Sequence, residues 1–188
     1  MDVEIKKISD YRIEGYSHQL SPRPNVWSGD ADQEYVVNFV IEFDTPIKNV
    51  GGWVEDKVLN RDHIEGKDLK YAGLYVEFDT KQTPVVQVRT GISLVSIANA
   101  SENLEEEISR KFGWDFASIV QNQKQTWNEI LGRVQITSND RLEKVRFYTN
   151  MYRSYCRNIW SDVNGEWMSA DKKVQKLADP NHRALGCD

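Results

Sequence analysis

The chain has 188 residues, with 24 Lys+Arg against 29 Asp+Glu and a net charge of −5, enough for one ordinary domain with an appendage and too little for two full-sized ones. The acidic balance, with no long basic run, argues against nucleic acid or an anionic membrane as partner. Its mean hydropathy of −0.63, without any apolar run near the roughly 18 residues of a bilayer span, excludes a membrane span.

Strand periodicity comes first. Residues 3–8 and 11–19 alternate apolar and polar, the mark of a strand with one buried face. In residues 34–44, Tyr35, Val37, Phe39, Ile41 and Phe43 fall on one face, with Asn38 and Glu42 on the other. Residues 47–55 form a further strand in which Gly51-Gly52 predicts a bulge or a close backbone approach, and Trp53 is expected at the sheet surface. Residues 70–79 repeat the alternation with Ala72, Leu74, Val76 and Phe78. The turn residues 80–84 then lead into a strand over 85–93, and the two read as an antiparallel hairpin. Residues before 95 are thus expected to form an antiparallel sheet or sandwich.

Near residue 99 the apolar period changes to about 3.6. Asn99 with Glu102 reads as a capping box, Glu105, Glu106 and Glu107 extend the acidic first turns, Arg110 and Lys111 lie in the last turn, and Gly113 stops the helix. Asp115 caps a second helix with the stripe Phe116, Ile119, Val120, Trp127, Ile130 and Leu131. Trp127, Ile130 and Leu131 are expected to be buried against the sheet or a neighbouring helix. A short strand over 133–137 and a third helix over 140–157 follow. The helix carries Leu142, Val145, Tyr148 or Thr149, Tyr152 and Tyr155 at helical spacing, and a second apolar face of Phe147, Met151, Tyr155 and Ile159 expected to lack partners. After Trp160, the residues Asp162, Asn164 and Gly165 predict a tight hairpin or an ordered loop. The ending Leu185-Gly186-Cys187-Asp188 is neither a helix end nor a polar tail, so the chain reads as truncated.

Independent catalytic machinery is not evident in this pattern. There is no Gly-rich phosphate loop and no nucleophile elbow, and His18, His63 and His182 stand apart from acidic or Cys partners in sequence. Cys156 and Cys187 make neither a disulfide framework nor a metal-ligand spacing. The charged stretch after Met1 is not a signal peptide. Among the six tryptophans, Trp114 and Trp127 suit packing. Trp27, in the 22–27 loop, with Trp160 and Trp167 beside the Asp-Val-Asn-Gly turn, suits ligand contact, because loops present side chains to partners and aromatic faces stack on sugar rings.

One ordered set of segments is more specific. Thr90-Gly91-Ile92-Ser93-Leu94-Val95-Ser96-Ile97-Ala98-Asn99-Ala100, an acidic helix, Gly113-Trp114-Asp115-Phe116, Trp127-Asn128-Glu129-Ile130-Leu131, Phe147-Tyr148-Thr149-Asn150-Met151-Tyr152-Arg153-Ser154 and Ser161-Asp162-Val163-Asn164-Gly165-Glu166-Trp167 together resemble glycoside hydrolase family 92. The resemblance covers residues 34–188. It implies calcium-dependent, inverting, exo-acting α-mannosidases with an N-terminal β-sandwich, linker helices and an (α/α)6 barrel.

On that resemblance the fold is α+β. It comprises an antiparallel β-sandwich portion over 1–98, a helical linker over 99–132, and the start of the (α/α)6 catalytic domain, with its first helix, over 133–188. The resemblance places the catalytic acid and base and most ligands of the Ca2+ in the barrel beyond Asp188, so no catalytic residue is expected here, no metal is expected on this stretch, and the stretch alone is expected to be inactive. Asp162 and Asn164 are candidate substrate contacts, set against an Asx-type turn in which they bond their own backbone. Asp171 is a third candidate, although Trp167-Met168-Ser169-Ala170-Asp171 departs from the family's usual Arg-Gly-x-Asp continuation; Trp27 and Trp160 complete the set. The expected partners are mannose-containing glycans of N-glycan or mannan type and the remainder of the catalytic domain. The parent is expected to be exported by a bacterium. The rival reading is a non-catalytic carbohydrate-binding or scaffold module.

Overall fold

The computed structural model describes residues 2–21, 33–81, 84–156 and 159–179. Among these the strands are β1 (Asp2–Ser9), β2 (Arg12–Ser21), β3 (Gln33–Phe43), β4 (Asn49–Val54), β5 (Lys57–Leu59), β6 (His63–Gly66), β7 (Ala72–Glu77) and β8 (Val88–Ser93). Helices α1 (Ile97–Leu104), α2 (Arg110–Phe112), α3 (Phe116–Leu131) and α4 (Arg141–Tyr155) follow, and β9 (Glu166–Met168) with β10 (Val174–Lys176) closes the described chain. A π-helical turn, Glu105–Ser109, joins α1 to α2.

Two antiparallel sheets face each other, one in the order β6-β1-β2-β3-β8 and one in the order β5-β4-β7. The alternation in β3 sends its two faces into two different cores. Phe39, Ile41 and Phe43 pack with Ile13 and Ile47 against Leu74, Val76 and Phe78 of the smaller sheet, and the rings of Phe43 and Phe78 lie 5.1 Å apart. Val40, on the opposite face and fully buried, packs with Ala100 and Leu104 of α1. The larger sheet is therefore the middle layer, with the small sheet on one side and α1 on the other.

Gly91 of β8 makes that second layer possible. A Cβ there would collide with the backbone O of Ala100 and lie 2.7 Å from Leu104 Cβ. Only a residue without a side chain lets the helix backbone settle this closely on the strand.

Several expected features differ in the structure. Residues 70–79 and 85–93 do not form a hairpin: β7 pairs with β4 and β8 pairs with β3, in opposite sheets. Leu74, Val76 and Phe78 bury against the larger sheet only from across the sandwich, so the chain changes layers after β7. Gly51-Gly52 makes no bulge, since Asn49–Val54 pairs without interruption with β7. The close approach is instead by side chains, Tyr75 over Gly51 and Ile64 over Gly52. Trp53 lies on its cross-strand partner Gly73.

The first helix begins before Asn99. Ser96 is its N-cap and accepts from Asn99 N, while Ser96 Oγ donates to Asn99 Oδ1 at 2.7 Å, so Asn99 fills the third helical position of the box rather than the cap. Gly113 ends the helical run at φ +57. Asp115 caps α3 by accepting from Ser118 N, and Asp140 caps α4 by accepting from Leu142 N. No residue of α3 is buried; Trp127, Ile130 and Leu131 are only half-buried, because α3 packs on α4, with Trp127 and Tyr152 rings 4.5 Å apart, and not on the sheet. Residues 133–137 form no strand; their alternation has no neighbouring strand with which to exchange hydrogen bonds.

Candidate functional site: a buried carboxylate at the junction of sandwich and helix

The site is assembled at the start of α1. The chain leaves β8 at Ser93, whose hydroxyl accepts from Val95 N and Ser96 N and so turns the chain into the helix. Two turns of α1 carry Asn99 and Asn103, four residues apart and on one face. Both are buried, with Ala100 and Leu104 beside them. Two carboxamides on a core-facing stripe require polar partners.

Asp162 is that partner. It is 6% exposed and lies on the loop that returns from α4. Ser93 Oγ donates to Asp162 Oδ2 at 2.6 Å, Asn99 Nδ2 donates to Oδ2 at 2.8 Å, and Asn103 Nδ2 donates to Oδ1 at 2.7 Å. The remaining valences are also filled. Asn103 Nδ2 donates to Ile92 O, Asn103 Oδ1 accepts from Val163 N, and Asn99 Nδ2 also donates to Glu166 Oε2. No described buried side-chain N or O lacks a partner. A carboxylate removed from water is stabilised when every oxygen receives hydrogen bonds.

The turn around Asp162 is drawn tight by its backbone. Asp162 N donates to Glu166 O, Gly165 N donates to Asp162 O at 3.0 Å, and Leu177 N donates to Gly165 O. Gly165 takes φ +84, a conformation open to glycine and strained for other residues. Asn164 Oδ1 accepts from Glu166 N at 2.9 Å, an Asx turn, while its Nδ2 donates to Glu102 Oε2 at 3.2 Å. Asp162 therefore makes side-chain bonds far along the chain, whereas Asn164 combines the local turn with one bond to α1.

The other candidates fall elsewhere. Trp160 is 44% exposed, with its indole N–H donated to Met168 O at 2.8 Å. Asp171 is exposed at the tip of the β9–β10 hairpin, where the Ser169 hydroxyl and then the Lys173 ammonium hold its carboxyl below the usual range. Lys172, in the same tip, pairs with Glu34 of β3, which also bonds His18 Nε2 at 2.8 Å; these partners push the Glu34 carboxyl down, Lys172 first. Trp27, His182 and Cys187 lie outside the described residues. Trp114 lies under the Arg89 guanidinium at 4.1 Å, and Arg89 also donates to Gly113 O.

Sequence reasoning missed Ser93, Asn99, Asn103, Glu102 and Glu166 as members of one cluster. A usable signal was present in α1, where Asn99 and Asn103 share the core-facing stripe with Ala100 and Leu104. Among the described residues, no group of three or more His, Cys, Asp or Glu is arranged to hold a metal ion. Three of the roughly four acceptor positions of the Asp162 carboxylate are taken by O–H and N–H donors. No helix among the described residues is long and apolar enough to cross a membrane.

Fold and site together define an α+β protein in which an antiparallel sandwich, a helical segment and a returning loop meet at one buried polar junction. The chain belongs to glycosyl hydrolase family 92, for it matches that family's N-terminal domain over residues 1–93 and its catalytic domain over residues 99–185. Among solved structures, the family GH92 alpha-mannosidase BT3965 from Bacteroides thetaiotaomicron superposes with a TM-score of 0.76 at 24% identity over 98% of this chain and 24% of its own. The family GH92 inverting mannosidase BT2199 from the same organism gives 0.75 at 20% identity over 93% of this chain and 23% of its own. The gh92 family glycosyl hydrolase ccman5 gives 0.77 at 17% identity over 98% and 23%. At these identities the likeness shows the fold, and the chain spans about a quarter of the length of the structures it matches. No curated protein matches it.

Proposed function

We propose that these residues are part of an exported bacterial exo-α-mannosidase, inverting and calcium-dependent, that removes α-linked mannose from N-glycans or mannans. The observation that carries this reading is the succession of the two family 92 matches, N-terminal domain then catalytic domain, along one continuous fold. Two of the similar structures are described as mannosidases, one of them inverting, and BT3965 has also been solved with mannoimidazole. A mannose-containing glycan is accordingly the ligand class.

Inversion requires a general acid to protonate the leaving oxygen and a general base to activate water, with carboxyl groups roughly 6.5–9.5 Å apart. The acid works with a raised pKa. The described carboxylates with a shifted pKa, Asp2, Glu34, Asp79, Asp115 and Asp171, are all pushed down by hydrogen bonds and neighbouring cations. Asp162 is committed to its three donors. We therefore assign acid and base to the rest of the catalytic domain and expect residues 1–188 alone to be inactive.

Calcium belongs to the proposal for the whole enzyme, where it would fix mannose hydroxyls. Among the described residues no group of three or more His, Cys, Asp or Glu is placed to hold it, and none of their roles depends on it. Their own part is positional: Asp162 fastens the 160–168 loop to α1, and the loop presents the Trp160 face and the Asn164 carboxamide, with Asp171 further out, as candidate sugar contacts. The test is an assay on aryl α-mannosides of the chain carried within a full family 92 catalytic domain, with calcium and with chelator. Chelator-sensitive release of mannose supports the reading, and no release under either condition overturns it.

A further inference from the structure

Asn164-Gly165 is the sole Asn-Gly pair in the sequence, and Asn-Gly is the dipeptide most prone to spontaneous deamidation because glycine leaves its own amide nitrogen unhindered. In that reaction the Gly165 nitrogen gives up its proton to solvent base and attacks Asn164 Cγ. The new N–Cγ bond forms, the tetrahedral carbon collapses with the Cγ–Nδ2 bond breaking, and Nδ2 takes a proton back from the solvent acid and leaves as ammonia. Water then opens the succinimide at either carbonyl, giving an aspartate or an isoaspartate at position 164.

The turn needs both residues. Gly165 sits at φ +84, and Asn164 closes the Asx turn onto Glu166 N. The features that suit the turn also make its peptide labile. Yet each reacting group is held: Gly165 is buried and its N–H donates to Asp162 O. The Asn164 carboxamide is fixed at Oδ1 by Glu166 N and at Nδ2 by Glu102 Oε2, so Cγ cannot rotate onto the Gly165 nitrogen while the turn is closed. Closure in turn depends on Asp162 being bound by Ser93, Asn99 and Asn103.

We propose that Asn164 is a deamidation site masked by the Asp162 junction, and that its conversion is the chemical event that releases the 161–166 loop from α1. A carboxylate at position 164 loses the donor to Glu102 and faces both Glu102 and Glu166 with like charge. An isoaspartate also inserts a methylene into the backbone and breaks the Gly165-to-Asp162 bond. The inference rests on the turn alone and stands or falls independently of the mannosidase reading.

The experiment incubates the purified chain at mildly alkaline pH beside a free peptide of residues 160–168, and peptide mapping follows the aspartate and isoaspartate forms at position 164. Because reaction requires local opening, the intact chain is expected to react at least about tenfold more slowly than the peptide. Ser93→Ala and Asp162→Ala are expected to bring the rate towards that of the peptide while Asn128, in α3, stays unchanged. Equal rates in intact chain and peptide, or variants that open no faster, overturn the proposal. Should a variant unfold, seen as a parallel rise at Asn128, the ratio of intact chain to peptide decides by itself.

Discussion

Ser93 Oγ donates a 2.6 Å hydrogen bond to Asp162 Oδ2 across 69 positions of sequence. Ser93 is the last residue matched by the family's N-terminal domain, and Asp162 lies within the stretch matched by its catalytic domain. One bond therefore ties the sandwich to the loop that returns from the helices.

Asp162→Ala strands the Ser93 hydroxyl and one N–H on each of the Asn99 and Asn103 amides, whose nitrogens keep only Glu166 and Ile92 O as acceptors. Since each buried donor left unsatisfied costs about 1–3 kcal/mol, the variant is expected to lose at least about 3 kcal/mol in urea unfolding. A loss below about 1 kcal/mol would mean that water replaces the carboxylate freely and that the junction is open.

Two glycines make a contrasting pair. At Gly91 a methyl group would meet Ala100 O and Leu104 Cβ, so Gly91→Ala should lift α1 from the sheet and cost about 2–3 kcal/mol, as overpacking does. At Gly113 nothing lies within 4 Å of the added carbon, but φ +57 with ψ −119 is a conformation only glycine enters freely, so Gly113→Ala should cost about 1–3 kcal/mol through backbone strain with no clash. Thermal melts of the two variants check both costs; a loss at Gly91→Ala below about 0.5 kcal/mol would contradict the packing of α1 on β8.

The helix cap of α3 is sensitive to pH. The Asp115 carboxyl is held below the ordinary range by the Ser118 hydroxyl and then by the Ser118 and Ala117 backbone N–H groups. A depressed folded pKa means that the cap's contribution is complete above the unfolded carboxylate value of about 3.9 and is lost as pH falls through the lower folded value. Helicity from circular dichroism should thus be level at neutral pH and decline in that acid window. In Asp115→Asn, which keeps a capping oxygen without the charge, the part of the decline owed to residue 115 should vanish. An unchanged acid profile in the variant would show that the cap does not couple to the helix.

Helix α4 exposes Leu142, Val145, Phe147, Tyr152 and Tyr155, and neither α3 nor α4 holds a buried residue. Apolar faces of this extent drive association, so the 188-residue chain is expected to self-associate in sedimentation experiments. Phe147→Glu should reduce the association. A clean monomer at all concentrations would contradict it.

How far these features could be read in advance depended on their range along the chain. Local signals held where one residue suffices: Asp115 and Asp140 cap α3 and α4, and Gly113 ends a helical run. The alternation of Phe39, Ile41 and Phe43 marked a buried face correctly. The same kind of alternation in β7 could not say which strand it pairs with, since periodicity specifies a face and not a neighbour. That is why β7 and β8 were expected side by side and lie in opposite sheets. Trp127 reads as core because its stripe is apolar, yet an apolar stripe meets only the area its neighbours offer, and α4 offers Tyr152 alone as a ring partner. The Asp162 junction was the least legible feature. Asp162 and Asn164 stand out as turn residues, but the donors that give Asp162 its role lie 59 to 69 positions away.

The central claim, that the residues described here position a loop for a mannosidase whose acid and base lie elsewhere in the enzyme, is tested most directly by mannose release from an α-mannobiose in the presence of calcium. The 188-residue chain and the same chain carried within a complete family 92 catalytic domain are assayed side by side. Without the acid and base most of a very large rate enhancement is lost, so the account predicts release by the complete enzyme and none by residues 1–188 alone. Turnover by the 188-residue chain, abolished by chelator, would contradict it.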